Sequence, residues 1–476
     1  MAVSAHAHPP TYRIRFTEDG HAIVDSDSVV VQFDRSYVVG DIAITRAFGS
    51  ALPPELADLV DLALAVYVSD RVAHRRPYHA DRSFLNWTRR FDLTIPVRDI
   101  GRWRDVKLCR QVRDVLWFLT EDDWHIRFIE RRGGHHLAEI QQALFPLPPK
   151  MPVTTALFSG GLDSLAGLYC ELAAHPEGSI VLFSASTNSR MRAKQQRLAQ
   201  YVRDRSRRDI IPVNVPLTLG RGGRRYHDDE PTQRSRGFLF GVLGAVTALM
   251  AGADGVANYE NGIGSINLPY TAGQLGTHST RSTHPAALTQ LSLLISRATG
   301  RAFAFRSPFL YMTKAQLCML AAKHGLGADI QNTVSCDSFP LRRLGKPQCG
   351  TCTSCLLRRQ SLYAARLDQF DASEQYLIDI VSPDRPVPND KLRPLRMMLS
   401  QVESLRHAMR GADPWLGLVV QYPDLWKVAV NLQSQAQNPE SIQQSLINLY
   451  RCYCDEWELF PVRQTHLHIV SGKALS

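Results

Sequence analysis

Lysine is scarce in this chain: of its 55 basic residues only nine are lysine and the rest are arginine. No uncharged apolar run reaches membrane-spanning length. The longest candidate, Gly237 to Ala253, has 17 residues and is rich in Gly and Ala, short of the ~20 a bilayer requires. It predicts a buried helix packed on a sheet, and no membrane partner. The opening MAVSAHAHPP has neither a basic region nor an apolar core, so no secretory signal is expected and the protein reads as soluble and cytoplasmic. There is no internal repeat and no low-complexity tract. With 44% hydrophobic residues over 476 positions, extensive disorder is excluded, because so much apolar surface can offset the entropy of ordering.

What is present is unevenly placed. The net charge is +10, and the stretch Arg190 to Arg236 alone holds 13 cations against 5 acids. An excess of that size predicts an anionic ligand (phosphates, an acidic partner or nucleic acid) or else a solvated arginine-rich face. Two proline-rich stretches, Phe145–Pro152 and Ser382–Pro394, read as linkers. They divide the chain into an α+β segment 1–147, a middle segment 153–381 and a helical segment 390–476. In the first, VVVQF (29–33) predicts a strand. Glu55 to Val72 places Leu56, Leu59, Val60, Ala63, Val66 and Tyr67 at helical spacing behind a proline start. Two further strands alternate through Phe91–Val97 and Trp124–Phe128, and His135-His136 reads as a surface turn.

The middle segment alternates strands (154–158, 179–183, 210–215, 255–259, 302–305) with helices, among them Arg236–Met250 and Lys314–His324. The pattern predicts a doubly wound α/β fold with a five-stranded parallel sheet, whose ligands bind beyond the carboxyl ends of the strands. Straight after the first strand comes Ser159-Gly160-Gly161-Leu162-Asp163-Ser164, then a helix. Paired glycines let the backbone approach a ligand, and their amides with the helix N-terminus can converge on one anion. The two serines add hydroxyl donors, and Asp163, expected on an exposed turn, can help hold Mg²⁺ on phosphate oxygens. The lysine of a Walker A loop is absent. Instead the six residues resemble the SGGxDS loop of PP-loop ATP pyrophosphatases, which implies ATP as ligand, cleavage between its α and β phosphates and transfer of AMP.

Four of the nine cysteines, Cys336, Cys349, Cys352 and Cys355, follow a C-x12-C-x2-C-x2-C spacing. Four thiolates on short turns suit a closed tetrahedral, structural Zn²⁺ site. C-x2-C-x2-C also begins ferredoxin-type runs, so an iron–sulfur cluster is the alternative. Cys452 and Cys454 are read as ordinary thiols and the last segment as chemically quiet.

Phosphate loop, cysteine cluster and the following Arg358-Arg359 together resemble the QueC family, 7-cyano-7-deazaguanine synthases, over about residues 153 to 365. That resemblance implies a HUP-like PP-loop fold, ATP binding by residues 159–164 and by Arg234 ahead of the long helix, and catalytic roles for Asp163, Ser164 and Lys314, the last in a Lys314-Ala315-Gln316 element. It also implies a deazaguanine carboxylic acid as substrate, with Glu260, Arg281 and His284 as binding candidates, and a homodimer. The chain departs from the family in the substrate loop, which reads STRSTHPAAL at 279–288. It departs again in the added segments at both ends, a layout similar to QueC-like proteins of anti-phage defence systems (QatC-type and CBASS-associated). The function expected is adenylation of the acid and transfer to an amine, here of a partner protein. Nitrile synthesis, RNA modification and a non-catalytic nucleotide-binding module are the alternatives.

Overall fold

A computed structural model of the chain describes residues 11–17, 29–32, 37–75, 88–132, 136–140, 149–219, 230, 232, 234–270, 281–339, 345–382, 386–433 and 438–461. Ten strands form two sheets. The first holds β1 (Thr11–Thr17), β2 (Val29–Gln32), β4 (Arg90–Val97) and β5 (Asp123–Glu130) in the order β2-β1-β4-β5. All its pairings are parallel. The α+β expectation for this segment therefore gives way to parallel strands with helices in the crossovers. The helix Pro54–Val72 leads to β4, and the helix Val106–Thr120 joins β4 to β5.

The second sheet has the order β10-β9-β6-β7-β8-β3. Its five parallel strands are β6 (Val153–Leu157), β7 (Ser179–Ser186), β8 (Asp209–Leu219), β9 (Gly255–Ala257) and β10 (Ala304–Arg306). Every residue of β7 is buried, as a central strand covered on both faces must be. The expected five strands gain a sixth: β3 (Tyr37–Val39), from the first segment, pairs antiparallel with β8. The winding reverses between β6 and β9, so the loop after β6 opens at the switch point where such sheets bind ligands.

One hydrophobic core runs from Ile14 and Phe91 of the first sheet, through the helix Pro54–Val72, to the long apolar helix Arg236–Met250 and the second sheet. Every residue from Leu56 to Arg71 is buried. The acids that a one-sided stripe would turn to solvent are paired instead: Asp61 with Arg98 and Arg131, and Asp70 with Arg89. His136 joins them, its Nε2 2.8 Å from Asp61 Oδ1. The surface-turn reading is thereby corrected for His136, while His135 lies outside the described residues. Asp70 also accepts hydrogen bonds from Ser235 N and Oγ, at 3.0 and 2.7 Å, at the head of the long helix.

The last segment folds as the helices Asn389–Ala408, Pro414–Gln421, Asp424–Gln433 and Pro439–Glu458 around a core that includes their Met398, Val402, Leu446 and Trp457 together with Ile263, Leu310 and Leu356 of the middle segment. The second proline-rich stretch is a linker only in part, since Asn389 starts a helix that contains Pro394. Of the first, 145–148 lie outside the described residues. No helix among the described residues is long and apolar enough to cross a membrane.

Candidate functional site

The loop Ser159–Ser164 links β6 to the helix Leu162–Ala174. Gly160 has φ +79°, a left-handed conformation that favours glycine. The loop is braced from within: Gly161 N donates to Ser159 Oγ at 3.2 Å, and Ser164 Oγ donates to Gly161 O at 2.9 Å. The Leu162 side chain is buried in the core. The open amides at the start of the helix and its dipole then face the sheet's carboxyl end, a setting for a phosphate.

Asp163 is 8% exposed, not on the open turn that the sequence suggests. Its Oδ2 contacts Lys314 Nζ, and its Oδ1 accepts from Asn261 Nδ2 at 2.9 Å. Asn261 Nδ2 also reaches Glu260 Oε1 at 3.2 Å. Burial, and then the Asp163 charge, push the Glu260 carboxyl up to about 8, against the pull of Lys314. Burial alone would draw the Lys314 ammonium down, but Asp163 and Glu260 outweigh it and hold it above its ordinary range. The group is thus an ammonium, a carboxylate and a protonatable carboxyl in one buried cluster.

Lys314 starts the helix Lys314–Ala322, which has a complete capping box: Gln316 N donates to Thr313 Oγ1 at 3.1 Å, and Thr313 N to Gln316 Oε1 at 2.9 Å. Gln316 closes the box with its side-chain oxygen. Thr313 Oγ1 also contacts Glu456 from the last segment, whose carboxyl burial raises to about 7. The last segment thus reaches the head of this helix.

A cavity of about 560 Å³ opens here, bounded by Asp163, Arg236, Glu260 and Lys314 and by Asp337 and Ser354 of the cysteine region. A second, of about 240 Å³, runs from Phe158 and Ala185 at the ends of β6 and β7 to Phe240 and Asn258. The two share Ser159, Arg236, Glu260, Ser282 and Thr283 as walls. Asn258 Nδ2 is buried there without a hydrogen-bond partner, a donor placed for a ligand acceptor. Asn258 and Asn261 were missed in the sequence, yet both follow β9 at its carboxyl end, where a doubly wound sheet presents ligand contacts.

Three expected ligand residues are placed differently. Arg234 pairs with Glu121 Oε2 at 3.5 Å, and Arg281 pairs with Glu121 Oε1 at 3.1 Å. Arg281 Nη1 also donates to Phe118 O at 3.1 Å, and its guanidinium lies over the Phe118 ring at 5.1 Å. Burial, and then Arg75 nearby, lower Arg234 to about 10. His284 is buried and caps the helix Pro285–Thr299, its Nδ1 accepting from Ala286 N at 3.2 Å. The cavity walls use their neighbours instead: Arg236 rather than Arg234, and Ser282 and Thr283 rather than Arg281 and His284.

The four cysteine Sγ atoms all lie within 4.8 Å of one another, and Cys349 and Cys355 are 3.9 Å apart. Ligands 2.3 Å from a tetrahedral Zn²⁺ would stand about 3.8 Å apart, so the donors fit. Backbone amides of Cys349 and Cys352 donate to Cys336 Sγ and Cys349 Sγ at 3.4 and 3.3 Å, the pattern that steadies thiolates. Gly350 turns the knuckle at φ +85°, where a Cβ would meet Ile378 O at 1.9 Å. Arg358 is buried against Asp371 at 2.9 Å and Thr333 at 2.6 Å, so it braces the knuckle.

Residues 282–366 match the family model described as queuosine biosynthesis protein QueC. Over 60 residues the chain is 42% identical to 7-cyano-7-deazaguanine synthase 2 of Desulfitobacterium hafniense (strain Y51), covering 13% of this chain and 23% of that protein. It is 40% identical, over the same shares, to 7-cyano-7-deazaguanine synthase of D. hafniense (strain DSM 10664 / DCB-2). The chain thus matches under a quarter of the length of these relatives. The family match takes in Lys314 and the four cysteines and stops short of the phosphate loop.

Proposed function

We propose that this chain is an ATP-dependent, AMP-forming enzyme that activates a carboxylic acid of the 7-deazaguanine type and transfers its acyl group to an amine. The observation that carries this reading is the placement of the Asp163–Lys314–Glu260 cluster beside the phosphate loop, at a wall shared by two compartments. One compartment suits a nucleotide, with Asn258 Nδ2 as a base donor; the other suits the acid. The carboxylate oxygen attacks the α-phosphorus of ATP, the α–β anhydride bond breaks and pyrophosphate leaves. The amine nitrogen then attacks the acyl carbon and loses its proton, the acyl C–O bond breaks, and AMP leaves with that oxygen still on its phosphorus. Mg²⁺, bound with ATP, would neutralise phosphate charge, with Asp163 as the side chain that holds it. Lys314 and the loop amides stabilise charge on the departing phosphates, and Glu260 can take up a proton at the shared wall. Zn²⁺ at the four cysteines supplies folding energy and leaves no coordination position for chemistry.

A partner-protein amine is the acceptor favoured by the added first and last segments, which contribute to the site's surroundings through Glu121 and Glu456. Their layout, similar to QueC-like anti-phage proteins, supports a role in such a defence system. The test is pyrophosphate release by the full chain with ATP and 7-carboxy-7-deazaguanine, followed by mass spectrometry of co-expressed proteins. Release with a deazaguanine-sized adduct supports the proposal. Release with ammonia alone, yielding a nitrile, returns the protein to the family's synthase reaction, and no release of pyrophosphate removes catalysis.

A further inference from the structure

A third cavity lies away from the loop Ser159–Ser164, on the first sheet. It has about 460 Å³ and is lined by β1, β4, β5 and the helix Val106–Thr120. The register sets its chemistry. Arg13 pairs with Asp92 and Asp92 with His125, making one row across three strands; Arg15, Thr94 and Arg127 make the next. Residues two apart on a strand share a face, so Arg13, Arg15, Arg127 and His125 rise from the same side of the sheet. Arg113 of the helix adds a fourth guanidinium to the lining, and Asp92 is its one carboxylate among the described residues. Asp92 is already partly offset by Arg90 at 3.8 Å, His125 sits 3.0 Å from Asp123, and Arg127 donates to Thr94 Oγ1 at 3.3 Å. Cys109 and Val112 of the helix also line the cavity, while Ile126 and Phe128 alternate with the cationic residues of β5 and turn to the other face of the sheet.

We propose that this cavity is a binding site for a small phosphorylated molecule carrying a flat ring, of the size and chemistry of a nucleoside diphosphate. Arginine, with no lysine in the lining, provides planar bidentate forks suited to phosphate oxygens. The two rows are about 6.6 Å apart along the strands, so two phosphate groups can each meet a cationic row. A volume of this size holds one small ligand, and the guanidinium planes offer a flat ring a face to stack on. This site uses none of the residues assigned to ATP activation, and its occupancy is independent of the proposed reaction.

The test is photolabelling of the full chain with 8-azido-ADP, followed by peptide mapping. Labelled peptides from 88–97 or 123–132, displaced by ADP and by inorganic pyrophosphate, are expected. The double substitution Arg15→Gln/Arg127→Gln should cut that labelling at least tenfold while labelling of peptides within 153–200 and the melting temperature stay as in the parent. Should that variant fail to fold, Arg127→Gln alone, at an exposed position, should cut it at least threefold. Absence of label from the strand peptides, or label indifferent to the substitutions, overturns the proposal. Displacement by oligothymidylates that strengthens with their length, with none by ADP, also overturns it and makes the cavity part of a nucleic-acid track.

Discussion

Arg281 and Glu121 meet at 3.1 Å across the junction of the first and middle segments, and the same Glu121 carboxylate takes Arg234 on its other oxygen. Each arginine lies just before a wall of the two cavities: Arg236 is two residues after Arg234, and Ser282 and Thr283 follow Arg281. One carboxylate therefore ties together two chain segments that also pack directly, Gly237 lying so close to Ser282 that a Cβ would meet its Oγ at 2.3 Å. Glu121 itself holds φ +59° as it ends the helix Val106–Thr120.

Glu121→Ala should accordingly weaken ATP binding several-fold and lower stability by about 1 kcal/mol, a modest figure because the pair is partly exposed. Arg281→Lys, which keeps the charge and loses the stacked fork, should cost less stability and leave affinity for the deazaguanine acid near that of the parent. Calorimetric titration with each ligand checks both. A selective loss of acid binding in Arg281→Lys would show that Arg281 contacts substrate, which its pairing with Glu121 argues against.

Asp163→Asn should abolish pyrophosphate release, and the structure adds a cost that an exposed turn would not carry. The substitution leaves the buried Lys314 ammonium facing Glu260 alone. Losing one member of a buried ion pair costs about 3–5 kcal/mol when nothing replaces it. Here Glu260 is able to ionise and take over, so the loss should fall below that range. Its carboxyl, pushed up to about 8 with Asp163 ionised beside it, should titrate lower in the variant. Infrared detection of the carboxyl band across pH, with Glu260→Gln as control, tests this. An unmoved Glu260 band would mean that the two carboxyls do not sense each other.

The glycine turn after the first strand of the middle segment, the alternation of its parallel strands with helices and the cysteine cluster were legible because each is local: a short motif, a β-to-α alternation, a short ligand spacing. The long apolar helix was legible to the residue, Arg236–Met250. What escaped is what depends on distant partners. Asp58, Asp61 and Asp70 look like a helix's solvent face until Arg98, Arg131 and Arg89 are brought over them. Arg281 looks like a ligand clamp until Glu121 is seen beside it. The edge strand Tyr37–Val39 has only three residues and is fixed by its partner β8 rather than by its own pattern. Glu456 carries no motif at all, and its contact with Thr313 comes from tertiary packing.

Zinc should be present at about one ion per chain in colourless protein. Cys352→Ser should unfold the knuckle, because metal-binding energy is folding energy. Gly350→Ala should weaken it without touching a ligand, since the left-handed φ and the clash with Ile378 O act together. Metal analysis and melting curves with and without chelator check this. A melting temperature indifferent to chelation would remove the metal, and absorbance near 400 nm that bleaches on reduction would assign an iron–sulfur cluster instead.

His284 provides a test by pH. Burial, with Arg281 and Lys427 nearby, lowers its imidazole from 6.5 to about 4, although Asp424 pulls the other way. The neutral ring is the form that fits, because Nδ1 must accept from Ala286 N to cap the helix Pro285–Thr299; a protonated ring has two donors and no acceptor. A folded-state value below the unfolded one means that the unfolded chain binds the proton first as pH falls. The stabilisation is therefore complete above pH 6.5 and is lost progressively down to about 4, on the order of 3 kcal/mol at most. His284→Asn keeps a side-chain acceptor at the cap and cannot titrate. Its stability, measured by urea unfolding, should start below or near the parent at pH 7 and gain on it steadily between pH 6.5 and 4. If the two curves instead run parallel across that interval, the ring does not change charge on unfolding and its role as a neutral cap fails.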